Sequence, residues 1–287
     1  MIREFLELLC SSDITFLRYA MLAGLIGSIP LGITGTLVVC RNISSVAGAL
    51  AHAVLGGVGF ALYANRVWHI RWLTPVSGAM IGAVIAVILI YCASIYLHEK
   101  EDTVISMIWA LGMSIGLLFI AATPGYVDLQ GYLFGNILLV TSDELKLTII
   151  LSAATLILAI IFFRPLQSVL FDPEFAKLRK VNVNFLYFLL LILIAFTVVL
   201  MVNVAGIILL VALLSLPAAT AKFFIRKLSM MMFLATIFAM LAIVSGLFAG
   251  YTQDLPTGPL SVIFAVLFYI TGFVKSKIAK LKRIKND

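Results

Sequence analysis

The sequence predicts an all-α protein, a polytopic membrane helix bundle of eight to nine transmembrane helices in one domain spanning residues 1–287. Three observations predict it. Apolar residues make up 63% of the chain and charged residues only 11%, against about 25% charged in soluble domains. A soluble fold of this length leaves too much surface outside to hide that apolar content. The apolar runs are also continuous and close to the ~20 residues a spanning helix needs, without the alternation of barrel strands. Finally, a helix satisfies its own backbone polar groups where lipid offers no partner.

Taken in order, residues 1–20, MIREFLELLCSSDITFLRYA, mix charged and apolar positions and read as an interfacial amphipathic helix, not a cleaved leader. Spans are expected at about 17–39, 49–65, 73–97, 103–122, 144–163, 184–202, 204–221, 229–249 and 258–274. The first carries Ala23 and Gly27 and the third Gly78 and Gly82, small residues at a spacing that lets helices approach closely. Asp102 precedes the fourth span and is expected to cap it. Residues 132–142 are too short to cross and predict a re-entrant or interfacial helix. The longest loop, about 164–182, holds Asp172 and Glu174 around Pro173 at a helix start, where anions meet the positive dipole end. Asn203 and Gly206 mark a turn between two antiparallel helices. Pro217 is expected to end the seventh span, because it lacks an N–H and clashes with the preceding turn. A short amphipathic helix within about 217–229 would then lie across the membrane face. It would turn Phe223, Phe224 and Ile225 inward and Arg226 and Lys227 outward.

Orientation follows the Lys/Arg bias. The tail from Lys275 to Lys285 holds six basic residues and is expected in the cytoplasm. Counting back over nine spans places Lys222, Arg226, Lys227, the 164–182 loop, Lys100 and Arg41 on that side too. The N-terminus falls outside, with Arg66, Arg71 and Lys146 as exceptions to the rule. The net charge of +7 is thus a property of loops, and no loop is long enough to form a nucleic-acid surface. Cys10, Cys40 and Cys92 are far apart, with no CxxC, and read as small apolar fillers. There is no phosphate-cradling GxxxxGK[ST] and no HExxH. Any energy taken from nucleotide therefore comes from another polypeptide.

Six stretches in order resemble the permease subunit of the metal-ion ABC importers. Arg41 to Gly57 is similar to that family's RRxSxxGDALSHAxLPG segment, and Glu101-Asp-Thr-Val-Ile-Ser106 to its EDTAIGI stretch. Gly131 to Leu138 resembles YLFGNIL, Phe171 to Ala176 the FDEEFA loop, and Gly206 to Ala221 the GxLLVxALLxxPAATA segment. Ser245-Gly-Leu247 followed by Asp254-Leu-Pro-Thr-Gly258 resembles SGLxxS…DLPxG. The resemblance implies a path for zinc, manganese or iron into the cytoplasm across the bacterial inner membrane. It implies ATP used by a cytoplasmic ATP-binding subunit and no stably bound cofactor. It also implies an extracytoplasmic metal-binding receptor protein and a second permease, either a homodimer or a homologous partner. The ATPase contact would fall on Pro217, Ala218, Ala219, Thr220, Lys222, Arg226 and Lys227. The alternative is a stand-alone secondary transporter of a small cation, which should carry ionisable residues at the bilayer midplane.

His52 is the one histidine inside a predicted span. Ionisable groups in lipid are costly and usually face a cavity or partner. Two readings stand: a packed histidine bonded to a backbone carbonyl, or a transient metal ligand lining the path near the outer half of the bilayer. Ala49, Gly56 and Gly59 leave room beside it for a partner helix or a cavity. His69 and His98 lie in or beside loops and read as solvated. The family's segment has an aspartate four residues before the histidine, sharing its helix face. Here that position is Gly48, and Gly56 replaces the proline that follows the histidine. On this reading Gly48→Asp should increase metal retention. The missing phosphate loop also predicts that the purified chain alone releases no phosphate from ATP. Turnover in a preparation free of other ATPases would contradict it.

Overall fold

The computed structural model describes residues 15–97, 100–135, 137 and 140–286. The expected N-terminal interfacial helix, Cys10 and His98 lie outside the described residues. The helices are α1 (Thr15–Arg41), α2 (Ser44–Val67), α3 (Pro75–Cys92, extended by a π-helical turn at Ala93–Leu97), α4 (Glu101–Ala122), α5 (Leu129–Phe134) and α6 (Ser142–Ile161). They continue with α7 (Phe163–Phe171), α8 (Pro173–Leu178), α9 (Val183–Ala205), α10 (Ile207–Phe224), α11 (Leu228–Gln253) and α12 (Thr257–Asn286). Among the described residues, nine helices are long and apolar enough to cross a membrane: all but α5, α7 and α8. The nine coincide with the expected spans.

The bundle has a protected centre. In the most apolar windows of α1, α2 and α9, 72–78% of residues are buried, against 28% in α4, α6 and α12, so the first three form the core and the others the rim. α2 lies between α3 and α4, while α11 packs on α1 and α12. Close approach is made by glycine. A Cβ on Gly57 would strike the carbonyl of Gly78, and one on Gly78 would strike the carbonyl of Gly57. Gly82 likewise sits against the backbone at Ala53, and Gly112 against His52 and Ala53. The Gly78/Gly82 pair thus serves helix packing, as its spacing implied. Gly27 of the first pair takes the sulfur of Met201 on α9.

Helix ends follow local chemistry. The hydroxyl of Thr141 accepts the N–H of Glu144, and the Glu144 carboxylate accepts the N–H of Thr141 at 2.8 Å, a capping box that starts α6. Asp172 accepts the N–H of Phe175 at 2.9 Å and Pro173 opens α8, as the sequence implied. Asp102 does not cap α4. It sits in the first turn with Glu101, after Lys100, whose side chain makes no cap bond. The 132–142 stretch contributes only α5 and a loop. Gly206 alone separates α9 from α10, at φ 75° and ψ 159°. Its positive φ suits glycine, and a side chain there would collide with Phe134 and Gly135 behind α5.

Two prolines lie inside helices. Pro30 deprives the Ile26 carbonyl of its helical donor, and the Ser152 hydroxyl of α6 donates to that carbonyl at 3.4 Å. Pro217 corrects the sequence reading. It is buried inside α10, which runs unbroken to Phe224, so no separate amphipathic helix follows it. Packing against neighbouring helices compensates for the missing bond, as it can in membrane helices. Gly57→Val should drive a side chain into the α3 backbone. Overpacking of this kind costs about 1–3 kcal/mol, readable as a lower unfolding temperature of the detergent-solubilised protein.

Candidate functional site

Helix alternation gathers Arg41, Lys100, the α7–α8 loop, the α10–α11 turn and the end of α12 at one end of the bundle. This is the basic end. The opposite end carries Arg66, Arg71 and Lys146, of which Arg66 and Lys146 are engaged there. Arg66 donates to the carbonyls of Pro124 and Tyr126 at 2.8 and 3.2 Å, and Lys146 pairs with Asp143 at 2.9 Å. Beside them on α5, burial and the Glu144 carboxylate push the Tyr132 phenol above its ordinary range.

His52 lies in α2, eight residues after Ser44 and fifteen before Val67. At 1.5 Å per residue that is about 12 Å from the basic end and about 22 Å from the other. The sequence reading had put it in the outer half. The structure places it nearer the basic end of its helix than the opposite one. Its exposure is 6%, and its Nδ1 is buried without a hydrogen-bond partner. A buried unsatisfied polar atom costs about 1–3 kcal/mol.

The neighbour of the imidazole is the indole of Trp109 on α4, stacked with ring centroids 4.8 Å apart and planes 26° apart. The same indole fills the side-chain space of Gly48, where a Cβ would run into its six-membered ring. This alters the expectation for Gly48→Asp, because a carboxylate at 48 has no room while Trp109 stays. The room expected beside Gly56 and Gly59 is taken by α4, and Ala49 is fully buried. Gly56 faces the backbone of Gly112, and Gly59 that of Gly116. Among the described residues, no group of three or more His, Cys, Asp and Glu side chains could hold a metal. The loop histidine His69 is exposed.

The expected coupling residues divide. Pro217, Ala218 and Thr220 are buried and Ala219 is half-buried, while Lys222, Arg226 and Lys227 are exposed at the basic end. The Ala218 side chain packs near Gly35 of α1, and Thr220 near Gly272 of α12. A second surface stands out beside them. In α7–α8, Leu166, Val169 and Ala176 face inward. Phe171 and Leu178 stand 63% and 82% exposed, with Phe175 between them, and the Arg179 guanidinium lies over the Phe175 ring, 5.2 Å from its centre. Large apolar side chains outside a helix pair of this kind mark an interaction surface. Phe171, Phe175 and Leu178 were visible in the sequence as large apolar residues in a charged loop, with Asp172 and Pro173 breaking the helix between the first and the other two. Trp109 had no such signal, since its meaning depends on the crossing of α2 and α4.

A third polar group closes the basic end. The Arg41 guanidinium lies 5.1 Å from the centre of the Tyr187 ring, and the Tyr187 hydroxyl donates to Glu101 at 3.2 Å. One tyrosine of α9 thus ties the end of α1 to the start of α4.

Comparison with known proteins then decides the class. The ABC 3 transport family matches residues 13–276. The chain belongs to that family. It is therefore a multi-pass membrane protein of an ABC transporter. Over 251 residues it is 37% identical to a Chlamydia muridarum protein named "Probable metal transport system membrane protein", covering 87% of this chain and 85% of the relative. It is 30% identical over 259 residues to the manganese transport system membrane protein MntC of Listeria innocua, covering 90% of each. Among solved structures it is similar to PsaBC from Streptococcus pneumoniae in complex with Fab. There the TM-score is 0.86 and the identity 33%, with 98% of this chain and 100% of that one covered.

Proposed function

We propose that this family member is the membrane-spanning subunit of an importer that moves a divalent transition-metal ion into the cytoplasm. The names of its relatives favour manganese as the cargo. The observation that carries the reading is His52, a buried imidazole with an unpartnered nitrogen inside a membrane helix. Intramembrane ionisable groups are kept where they serve a path, and neutral imidazole is a common metal ligand. A lone imidazole holds a divalent ion weakly, which suits a site that must also release it.

The remaining parts follow from the ends of the bundle. The basic end is cytoplasmic by the positive-inside rule. An ATP-binding subunit docks there on Phe171, Phe175 and Leu178, with Lys222, Arg226 and Lys227 at the border. Pro217, Ala218, Ala219 and Thr220 act behind that surface, relaying its movement into α10. A metal-binding receptor delivers the ion at the opposite end, and a second permease completes the path. Alternating access is then a rigid-body rearrangement of the two permeases about their interface.

The test of the path is uptake of manganese, zinc and iron, each supplied in turn to cells whose own copy is deleted. Wild-type chain restores uptake of one of them. His52→Ala should lower it at least tenfold, with unchanged membrane level and thermal stability. Uptake at the wild-type rate would return His52 to the role of a packed side chain.

The docking surface has its own test. Phe175→Asp or Leu178→Asp should abolish co-purification of the ATPase subunit and leave the permease folded. Retention of the ATPase by both variants would move the contact elsewhere.

A further inference from the structure

Trp109 occupies an unusual place. Two side chains four residues apart on α2, at 48 and 52, would share one helix face and could enclose a cation between them. In this chain that space holds an indole from another helix. The ring lies against the His52 imidazole at a centroid distance of 4.8 Å, and its six-membered ring stands where a Gly48 side chain would be. The imidazole beneath is only 6% exposed, and its Nδ1 has no protein partner. A polar atom is therefore buried under an apolar ring with no protein group to satisfy it. A metal bound to nitrogen sits about 2.0–2.1 Å from it and needs further ligands or water around it, for which the stacked indole leaves no space at that face.

The ring itself is not locked in. Trp109 is 37% exposed, and Met107 and Leu111 beside it on α4 are 50% exposed, so one side of the indole opens to the outer face of the protomer. The backbone under it is held elsewhere, by the contacts of Gly112 and Gly116 with α2. A rotation of the side chain alone would uncover His52 without separating the helices.

We propose that Trp109 is a lid on His52 and sets what the site can hold. With the indole stacked, the seat between positions 48 and 52 is shut. A cation is held at His52 only when the ring has turned out. Because position 48 is glycine, the open seat offers one imidazole and water and no carboxylate. The proposal rests on the reading of His52 as a stop on the ion's path.

The test uses the full chain in lipid nanodiscs and reads each histidine separately. Diethyl pyrocarbonate modifies unprotonated imidazole, and peptide mass spectrometry gives the rate at His52, with His69 as reference in the same molecule. His52 should react at least tenfold more slowly than His69 in the wild type. Trp109→Ala should accelerate His52 at least fivefold and leave His69 unchanged, with Trp109→Phe in between. Ile120→Ala, which removes buried packing farther along α4, should leave both rates alone. No acceleration in either Trp109 variant, or equal acceleration in Ile120→Ala, would overturn the lid.

The seat is tested with Mn²⁺ alone, by equilibrium binding to the same nanodiscs. Gly48→Asp by itself should bind no more tightly than wild type. Gly48→Asp combined with Trp109→Phe or Trp109→Ala should bind at least tenfold more tightly than either single variant, a coupling that independent sites would not give. If Gly48→Asp alone reaches the affinity of the double variant, the indole does not fill the seat. Failure of the path reading is distinguishable, because it appears as wild-type uptake by His52→Ala while the reactivity and binding results stand.

Discussion

The constraint on which the rest of this structure depends is the contact of backbone with backbone along α2. Lipid tails are as apolar as the side chains they touch, so helices gain little hydrophobic free energy by meeting. Dispersion and shape must hold them, and these demand close approach. Gly57 against Gly78, Gly82 against Ala53, and Gly56 and Gly59 against Gly112 and Gly116 bring α3 and α4 onto α2 with no side chains between. That clamp buries α2 and fixes the position of His52. It also brings α4 near enough for the indole of Trp109 to lie over the imidazole. A larger residue at any of these crossings would move the helix and the ring together.

Most of the fold was legible in the sequence, because each span is a length of apolar chain and hydrocarbon thickness sets that length. All nine coincide with observed helices, and Gly206 turns where its lack of a side chain allowed it to. Pro217 was misread because a proline signals a lost hydrogen bond but not what surrounds it. Inside α10, neighbours on α1 and α12 hold the helix through the defect. Asp102 was misread as a cap because only two residues of register separate the cap position, Lys100, from its place in the first turn. The site was legible only in part. His52 stands out as a lone imidazole in an apolar run, but its depth follows from the helix start at Ser44. Its partner lies 57 positions away on another helix, and no local pattern links the two.

The ends of the bundle divide their work by chemistry. At the basic end, the exposed aromatic and aliphatic side chains of α7–α8 sit beside Lys222, Arg226 and Lys227. This combination of an apolar centre and a charged rim is what a protein partner recognises. At the same end, the Tyr187 ring joins Arg41 to Glu101 and so ties α1, α4 and α9 together. α4 carries Trp109 about two turns from Glu101. α4 therefore connects the Tyr187 contact at the basic end to the ring over His52 within a single helix.

That arrangement bears on how a path can be both selective and fast. An imidazole paired with a carboxylate would hold a divalent ion by charge, and release would then have to overcome that attraction in a medium of low dielectric constant. Glycine at 48 removes the attraction, and Trp109 keeps the empty seat from filling with water or a stray ion. The unsatisfied Nδ1 is the cost of the closed state. Opening relieves that cost by supplying a partner, either water or the cargo, and closing restores the stacking of two rings. The two states thus trade an unsatisfied polar atom, costing about 1–3 kcal/mol, against one aromatic contact worth about 0.5–1.5 kcal/mol. Terms of comparable size leave the closed state shallow, so a turn of the indole needs little driving force and the closed state need not be deep for the path to be shut at rest.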